Sequence, residues 1–377
     1  MKTLLKVNYN FTKPPRIDFL KRLTNTTGIL QHTRYGVPER SLGYSLDDNA
    51  RALIVAVHLF KLFKIKEALD YAVIYLSFLT HAKRPDGRFN NFQKFDHTFL
   101  SHVSEDAFGE CIWALGYTIA ANVRSDLTLA AQDLFDEVKT TVNTLVSPRA
   151  KAYAIIGLYY VLKSNPNDEE ARQLLEQQTA NLTRLYKICL GEDWQWFENY
   201  LTYANHILPA ALFYSYEITK DPETLEIATS SLDFLEKHTH NEKGTPLPIG
   251  NKGWYVRGGE KASFDQQAVD PSYGVLANVA AFRVTKKEAY LVKAKNWFSW
   301  FHGNNLLEIP IYDPNTAGVY DGLNEDGVNK NQGAESIVVY LLAYLELAEV
   351  EAKRQQKIKI NQTAKSKTRV FKGAPTL

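Results

Sequence analysis

An all-α fold, six helical hairpins closed into a ring, is the architecture this sequence predicts, and three observations predict it. A polar segment leading into a small-residue-rich apolar helix occurs six times. The six segments begin at residues 46, 104, 147, 203, 269 and 331, so neighbours lie 43 to 66 residues apart. That spacing suits a helical hairpin plus loops. Helical periodicity fills the intervals, and its composition alternates. Helices that follow the polar segments are rich in Ala, Gly and Ser, as close packing around an axis requires, and those between carry more Lys and Glu. Closing the hairpins into a ring would bring all six polar segments to one end.

The elements follow in order. Arg16–Leu23 reads as a short first helix. Asp48–Leu62 is inner, with Ala50, Leu53, Ile54 and Val57 on one stripe, and Lys66–Thr80 is its outer partner. Glu105–Ala121 is inner and Leu127–Leu145 outer. Pro148 suits the first turn of an inner helix to Leu162, and Asp168–Leu190 is outer. Ala204–Glu217 and Pro271–Arg283 are inner, followed by outer Pro222–Lys237 and Lys286–Phe301. Glu335–Val350 is the last inner helix, with the short first helix as its outer partner. Long loops at Arg84–Ser104, Gly191–Leu201, Asn241–Ala268 and Gly303–Asn331 lead into inner helices, and loops of that length carry function. Short β-hairpins are expected near Arg88–Phe92, Trp254–Val256 and Gly318–Tyr320. The pattern implies one ring domain over residues 1–352. A basic tail over 353–377, with eight Lys/Arg, is expected to fray and lose order.

A formal net charge of +2 gives no polyanion signature, so nucleic acid is not an expected partner. No stretch approaches a membrane span, and residues 1–20 lack the apolar run of a secretory signal, so a cytoplasmic location is the default expectation. Cys111 and Cys189 sit in apolar helical contexts and read as buried free thiols. HExxH, CxxC, GxSxG and phosphate-loop patterns are absent, so neither metal nor cofactor is expected.

The chemistry-bearing residues cluster in the polar segments. In Leu46-Asp47-Asp48-Asn49-Ala50-Arg51, one Asp accounts for a helix cap and the second is free for a sugar hydroxyl or proton transfer. In Ser104-Glu105-Asp106, Ser104 is a natural cap, and Asp106 is either dipole-stabilising or functional. Arg149 places a cation at a helix start, where the dipole disfavours it, so a local carboxylate or an anionic ligand should compensate. Asp193-Trp194-Gln195-Trp196-Phe197-Glu198 packs three aromatics between acids. Trp194 and Trp196 read as stacking platforms for pyranose rings, with an aromatic plug as the alternative. Glu198, in this apolar setting, is the candidate general acid. Asn205 and His206 follow at the next inner helix, and a lone His is more often a packed residue than a reactive one. Trp254, Tyr255 and Asp265 lie in the fifth loop. Asp270 before Pro271 reads as a cap. Asp321, Asn331 and Glu335 complete the set, with Asp321-Gly322 also readable as a turn.

These residues carry a resemblance. Gly43-Tyr44-Ser45-Leu46-Asp47-Asp48-Asn49-Ala50-Arg51-Ala52-Leu53, Trp194-Gln195-Trp196-Phe197-Glu198 and Asn331-Gln332-Gly333-Ala334-Glu335-Ser336 resemble a bacterial group of six-hairpin (α/α)6 toroids of the carbohydrate-active superfamily. Those toroids are encoded beside, or fused to, retaining-type glycosyltransferases. The resemblance spans Arg16 to Val350. It implies an oligosaccharide or polysaccharide substrate, binding or cleavage of glycans, and a glycosyltransferase as functional partner.

The leading expectation is a glycoside hydrolase using a carboxylate pair, with Glu198 as acid and Asp48, Asp106, Asp265 or Asp321 as the opposing base. Asp47, Arg149, Trp194, Trp196, Asn205, His206, Trp254, Tyr255, Asp270, Asn331 and Glu335 are the expected substrate contacts. A sugar epimerase or isomerase with His206 as its base is the alternative. A non-catalytic glycan-binding partner of a glycosyltransferase is the third reading.

Overall fold

A computed structural model describes residues 9–371, with side chains as far as Ile358. Twelve helices are present among these residues, in the expected alternation. The inner helices are α2 (Leu46–Phe63), α4 (Glu105–Ala121), α6 (Pro148–Ser164), α8 (Ile207–Thr219), α10 (Val269–Thr285) and α12 (Ala334–Phe371). The outer ones are α1 (Asp18–Leu23), α3 (Glu67–Ala82), α5 (Ser125–Val138), α7 (Glu169–Cys189), α9 (Pro222–His238) and α11 (Glu288–Ser299). Each inner helix packs on the next, and α12 packs back on α2, so the ring closes. This is an (α/α)6 toroid.

Composition explains the packing. Nearly every residue of the first three turns of α2, α4 and α6 is buried, as a helix surrounded by other helices demands. The α4–α6 contact is the tightest. A Cβ placed on Gly116 would lie 2.1 Å from the Gly157 carbonyl oxygen, and one on Gly157 would lie 2.2 Å from that of Ile112. Only glycine lets these backbones approach so closely. Outer helices α5, α7 and α9 bury one stripe and leave their charged residues outside.

Local grammar sets the helix starts. Ser45, Ser104 and Ser147 cap α2, α4 and α6 by accepting N–H bonds from Asp48, Ala107 and Ala150. Asp47 and Asp48 are therefore both released from capping. Asp270 is not a cap either: α10 begins at Val269, and Asp270 lies inside its first turn.

The structure departs from the sequence reading in three places. The outer helix expected to reach Leu145 ends at Val138 and continues as a 3-10 turn over Lys139–Thr144. The basic stretch after Lys353 extends α12 as helix to Phe371; residues 372–377 lie outside the described residues. Two of the three expected local hairpins, near residues 88–92 and 254–256, close locally through isolated bridges only, Lys83 to Phe89 and Tyr255 to Lys261, and their loops pair with distant ones as well. Phe92–Gln93 pairs with Tyr44–Ser45, and Tyr255–Val256 pairs with Tyr200–Leu201. Gln266–Gln267 likewise pairs with Gly322–Leu323. These ladders stitch the long loops into a rim. Gly318–Val319 does form a local hairpin, with Tyr312–Asp313. Among the described residues no helix is long and apolar enough to cross a membrane.

Candidate functional site

The N-terminal turns of the inner helices converge on one cleft with two lobes. The first lobe, about 350 Å³, is lined by Asp47, Arg51, Asp106, Glu110 and Glu335, with Tyr153, Tyr203 and Trp254 as its aromatic walls. The second, about 290 Å³, is lined by Asp48, Asp265, Asp321 and Glu335, with His32 and the amides of Gln31, Gln266, Gln267, Asn324 and Asn329. Asn251, Gln267 and Glu335 belong to both, so the lobes form one groove. Aromatic rings plug the lumen beneath. Trp113 stacks on Tyr153 at 6.1 Å, and Tyr153 meets Tyr273 edge-on at 5.9 Å.

Arg51 is the hub of the first lobe. Its guanidinium reaches Glu335 Oε2 at 3.0 Å, Asp47 Oδ2 at 3.1 Å, Asp48 Oδ1 at 3.1 Å and Glu110 Oε1 at 3.7 Å. Asp47 is four residues before Arg51 and Asp48 three, so both lie on its helix face. Tyr273 Oη, on the far side of the ring, also donates to Glu110, at 3.3 Å. Asp106 accepts from Ser147 Oγ at 2.6 Å and from Tyr203 Oη at 2.7 Å, which pins the Tyr203 ring over the lobe. In the second lobe Asp321 accepts from the Gly333 N–H and from Ser336 Oγ through Oδ1 alone. Its Oδ2 is left for the cleft.

Burial acts unequally on these acids. It pushes Asp48 up to about 8, with the Asp47 charge adding to it. It also raises Glu110 well above its ordinary value and Asp321 above its own. Asp265 and Glu335 keep more of their side chains in solvent, 27% and 40%.

Of the five expected catalytic carboxylates, Asp48, Asp106, Asp265 and Asp321 line the cleft, and Glu198 does not. Glu198 stands behind the wall, where Oε2 accepts from Arg149 Nη1 at 3.0 Å. That pair is the local carboxylate expected to compensate Arg149. Arg149 also donates to the Tyr203 carbonyl, Thr202 Oγ1 and Asn205 Oδ1. Asn205 in turn accepts from the Thr202 N–H and donates to its carbonyl. Arg149, Glu198 and Asn205 therefore build the 198–205 turn that presents Tyr203, rather than touching the cleft themselves.

The aromatic expectations divide. Trp254 lines the first lobe, 6.2 Å from Tyr203. Trp194 and Trp196 are core plugs, at 2% and 0% exposure. Trp194 donates to the Glu198 carbonyl, and Trp196 stacks on Phe234, because a loop this apolar folds onto the outer helix α9. Tyr255 packs edge-on against Trp194 and stacks on His238, outside the cleft lining. His206 is likewise a core residue, edge-on to Trp297 at 4.8 Å and 3.9 Å from Glu236. Burial drives it down to about 3, so it is neutral. Asp270 is buried and faces the Ala204 and Asn205 backbone N–H groups. Asn331 Oδ1 accepts from the Tyr35 N–H at 3.2 Å and holds the rim. Asp47 and Glu335 do line the first lobe. Cys111 is buried, whereas Cys189 is partly exposed.

Sequence reasoning missed Glu110, Tyr203, Asn251, Gln267 and His32. Glu110 was legible: it follows Asp106 by four residues on one helix, so both share a face. His32 and Asn251 sit in irregular loops without such a pattern.

No protein-family model and no curated protein matches this sequence. Solved structures do match in shape. A D-mannose isomerase superposes with a TM-score of 0.67 at 13% identity, over 88% of this chain and 96% of that one. A cellobiose 2-epimerase from Bacillus thermoamylovorans gives 0.70 at 10% identity, over 90% and 96%. A GH76 α-mannanase from Bacteroides thetaiotaomicron gives 0.63 at 12% identity, over 90% and 94%. Identities this low speak for architecture alone. The chain has the (α/α)6 toroid fold that sugar isomerases, epimerases and glycoside hydrolases have in common.

Proposed function

We propose that this protein is a sugar-processing enzyme that hydrolyses a glycosidic bond with a pair of carboxylates in the two-lobed cleft. The observation that carries the reading is the unequal burial of acids facing one groove. Pairs of carboxyls whose environments push their protonation apart are what acid/base hydrolysis requires. Asp321, raised by burial and with Oδ2 free, takes the role of acid. Glu335, more exposed and positioned by Arg51, takes the role of base. Asp321 gives its proton to the leaving oxygen as the C1–O bond breaks. Glu335 takes a proton from the water whose oxygen bonds to C1. One water is consumed, and proton exchange with solvent resets both groups.

The decisive experiment is incubation with α- and β-linked oligosaccharides, reading new reducing ends. Asp321→Asn and Glu335→Gln should each lower the rate by roughly 10²–10⁴-fold. Unchanged rates in both variants would remove the assignment.

A second reading is favoured by one specific feature. His32 lines the second lobe near Asp321 and supplies an imidazole beside the cleft. A base beside a sugar carbon is what an epimerase or isomerase needs, and two of the three structural neighbours described above carry such names. Deuterium uptake at a sugar carbon in D₂O, without new reducing ends and abolished by His32→Ala, would identify that chemistry. A glycosyltransferase partner rests on the motif resemblance. Binding without turnover in either assay would favour a glycan-binding accessory role.

A further inference from the structure

The two lobes differ in chemistry and meet at Asn251, Gln267 and Glu335. Trp254 and Tyr203 give the first lobe flat apolar surfaces, with the Tyr203 ring fixed by its bond to Asp106. Such faces stack on the C–H patches of a pyranose. Among the described residues no Phe, Tyr or Trp ring lines the second lobe. It presents side-chain amides and carboxylates instead, whose paired donors and acceptors suit hydroxyl groups. Glu335 borders both lobes. At about 350 and 290 Å³, each lobe is at the small end of ligand sites, which run from ~300 to 1,000 Å³.

The charge of the groove is also one-sided. Asp, Glu and amide side chains dominate, and Arg51 and His32 are the lining Arg, Lys or His residues among the described ones. Arg51 is already engaged by Asp47, Asp48, Glu110 and Glu335. Lys252, at the rim, is engaged by Asp265 Oδ1 at 3.4 Å; no guanidinium or ammonium of the lining itself is left to pair with a ligand phosphate, sulfate or carboxylate, and an anionic group here would face like charges at short range.

We infer that the ligand is a glycan of at least two units bearing no anionic groups, one ring on Trp254 and Tyr203, its neighbour in the amide-lined lobe, and the reacting centre at Glu335. This deepens the reading of the cleft as a sugar-processing site, and it holds whether that site hydrolyses or epimerises.

Binding without turnover tests it. Calorimetric titration of Asp321→Asn, and of Glu335→Gln as a second preparation, would use unsubstituted hexose mono-, di- and trisaccharides. Matched probes would carry a 6-phosphate or a uronic acid. A di- or trisaccharide should bind at least about tenfold tighter than its constituent monosaccharide. The anionic probes should bind at least about tenfold more weakly than the neutral ones, with the gap narrowing as salt rises. Trp254→Ala should reduce the advantage of the second unit. Equal affinity for mono- and disaccharides, equal or tighter binding of anionic probes at low salt, or no binding of any neutral di- or trisaccharide would each overturn the inference. Tight binding of a neutral disaccharide that wild-type protein leaves uncleaved would overturn the hydrolase assignment alone.

Discussion

Arg51 Nη1 lies 3.0 Å from Glu335 Oε2, across 284 residues of sequence. The contact joins the first inner helix to the last where the ring closes, so the same ion pair that seals the toroid also sets the position of the proposed base. Arg51 is 3% exposed and is met by three further carboxylates. Fold closure and site electrostatics are thus one arrangement.

Replacing Arg51 should therefore damage stability and activity together. Arg51→Met leaves Asp47, Asp48, Glu110 and Glu335 facing one another with their shared cation gone. Breaking a buried pair by removing one partner costs about 3–5 kcal/mol. Urea denaturation should show that loss, and a second Glu335→Gln substitution should recover part of it. A double variant no more stable than Arg51→Met would show that Glu335 does not strain the site when Arg51 is gone.

The tryptophans should separate by position. Trp254→Ala should weaken saccharide binding by about 1–3 kcal/mol with little change in Tm, because its contribution is contact with ligand. Trp196→Ala empties a fully buried site and should cost about 3–5 kcal/mol of stability. Thermal melts beside binding titrations read both, and a stable Trp196→Ala that has lost binding would return Trp196 to the cleft.

Glu198→Gln should behave as a structural change. It removes the charge that Arg149 meets and loosens the 198–205 turn, so Tm should fall while kcat drops less than in Asp321→Asn or Glu335→Gln. A loss of roughly 10²-fold or more in kcat with an unaltered melt would instead make Glu198 the acid.

Stability should decline as pH rises from about 7 and level off by about 9. Asp48 and Asp270 are both pushed up to about 8, chiefly by burial. A carboxyl that holds its proton more tightly when folded stabilises the native state fully below its ordinary value of 3.8, and that contribution is lost progressively until pH has passed about 8. His206, driven down to about 3, is neutral both folded and unfolded above its ordinary 6.5 and does not oppose the trend there. Differential scanning at several pH values should show Tm falling through this window, less steeply in Asp270→Asn. A Tm that climbs from pH 7 to 9 would contradict the protonated state of these two groups.

Much of the groove was legible in the sequence. Asp47, Asp48, Asp106 and Glu335 reach it because inner helices run in one direction and their first turns share one end of the ring. Asp265, Asp321 and Trp254 reach it from the long loops that rim the same end. The expectations for Trp194, Trp196 and Glu198 rest on local composition, and composition does not say which side of a loop faces inward. The 194–198 segment turned its rings against Phe234 and Tyr186 on the outer helices, leaving Tyr203 and Trp254 to wall the cleft.

The sequence alone determined the alternation of inner and outer helices, the cap at Ser104, the first-turn place of Pro148, and the end of the ring that collects the acids. Those follow from periodicity, capping and helix direction, which act over a few residues. Only the tertiary structure decided that Arg51 gathers four carboxylates, that Arg149 captures Glu198, and that burial lifts Asp48, Glu110 and Asp321. Protonation and ion pairing depend on which charges meet in a shared low-dielectric space, and partners such as Arg51 and Glu335 become neighbours only when the ring closes.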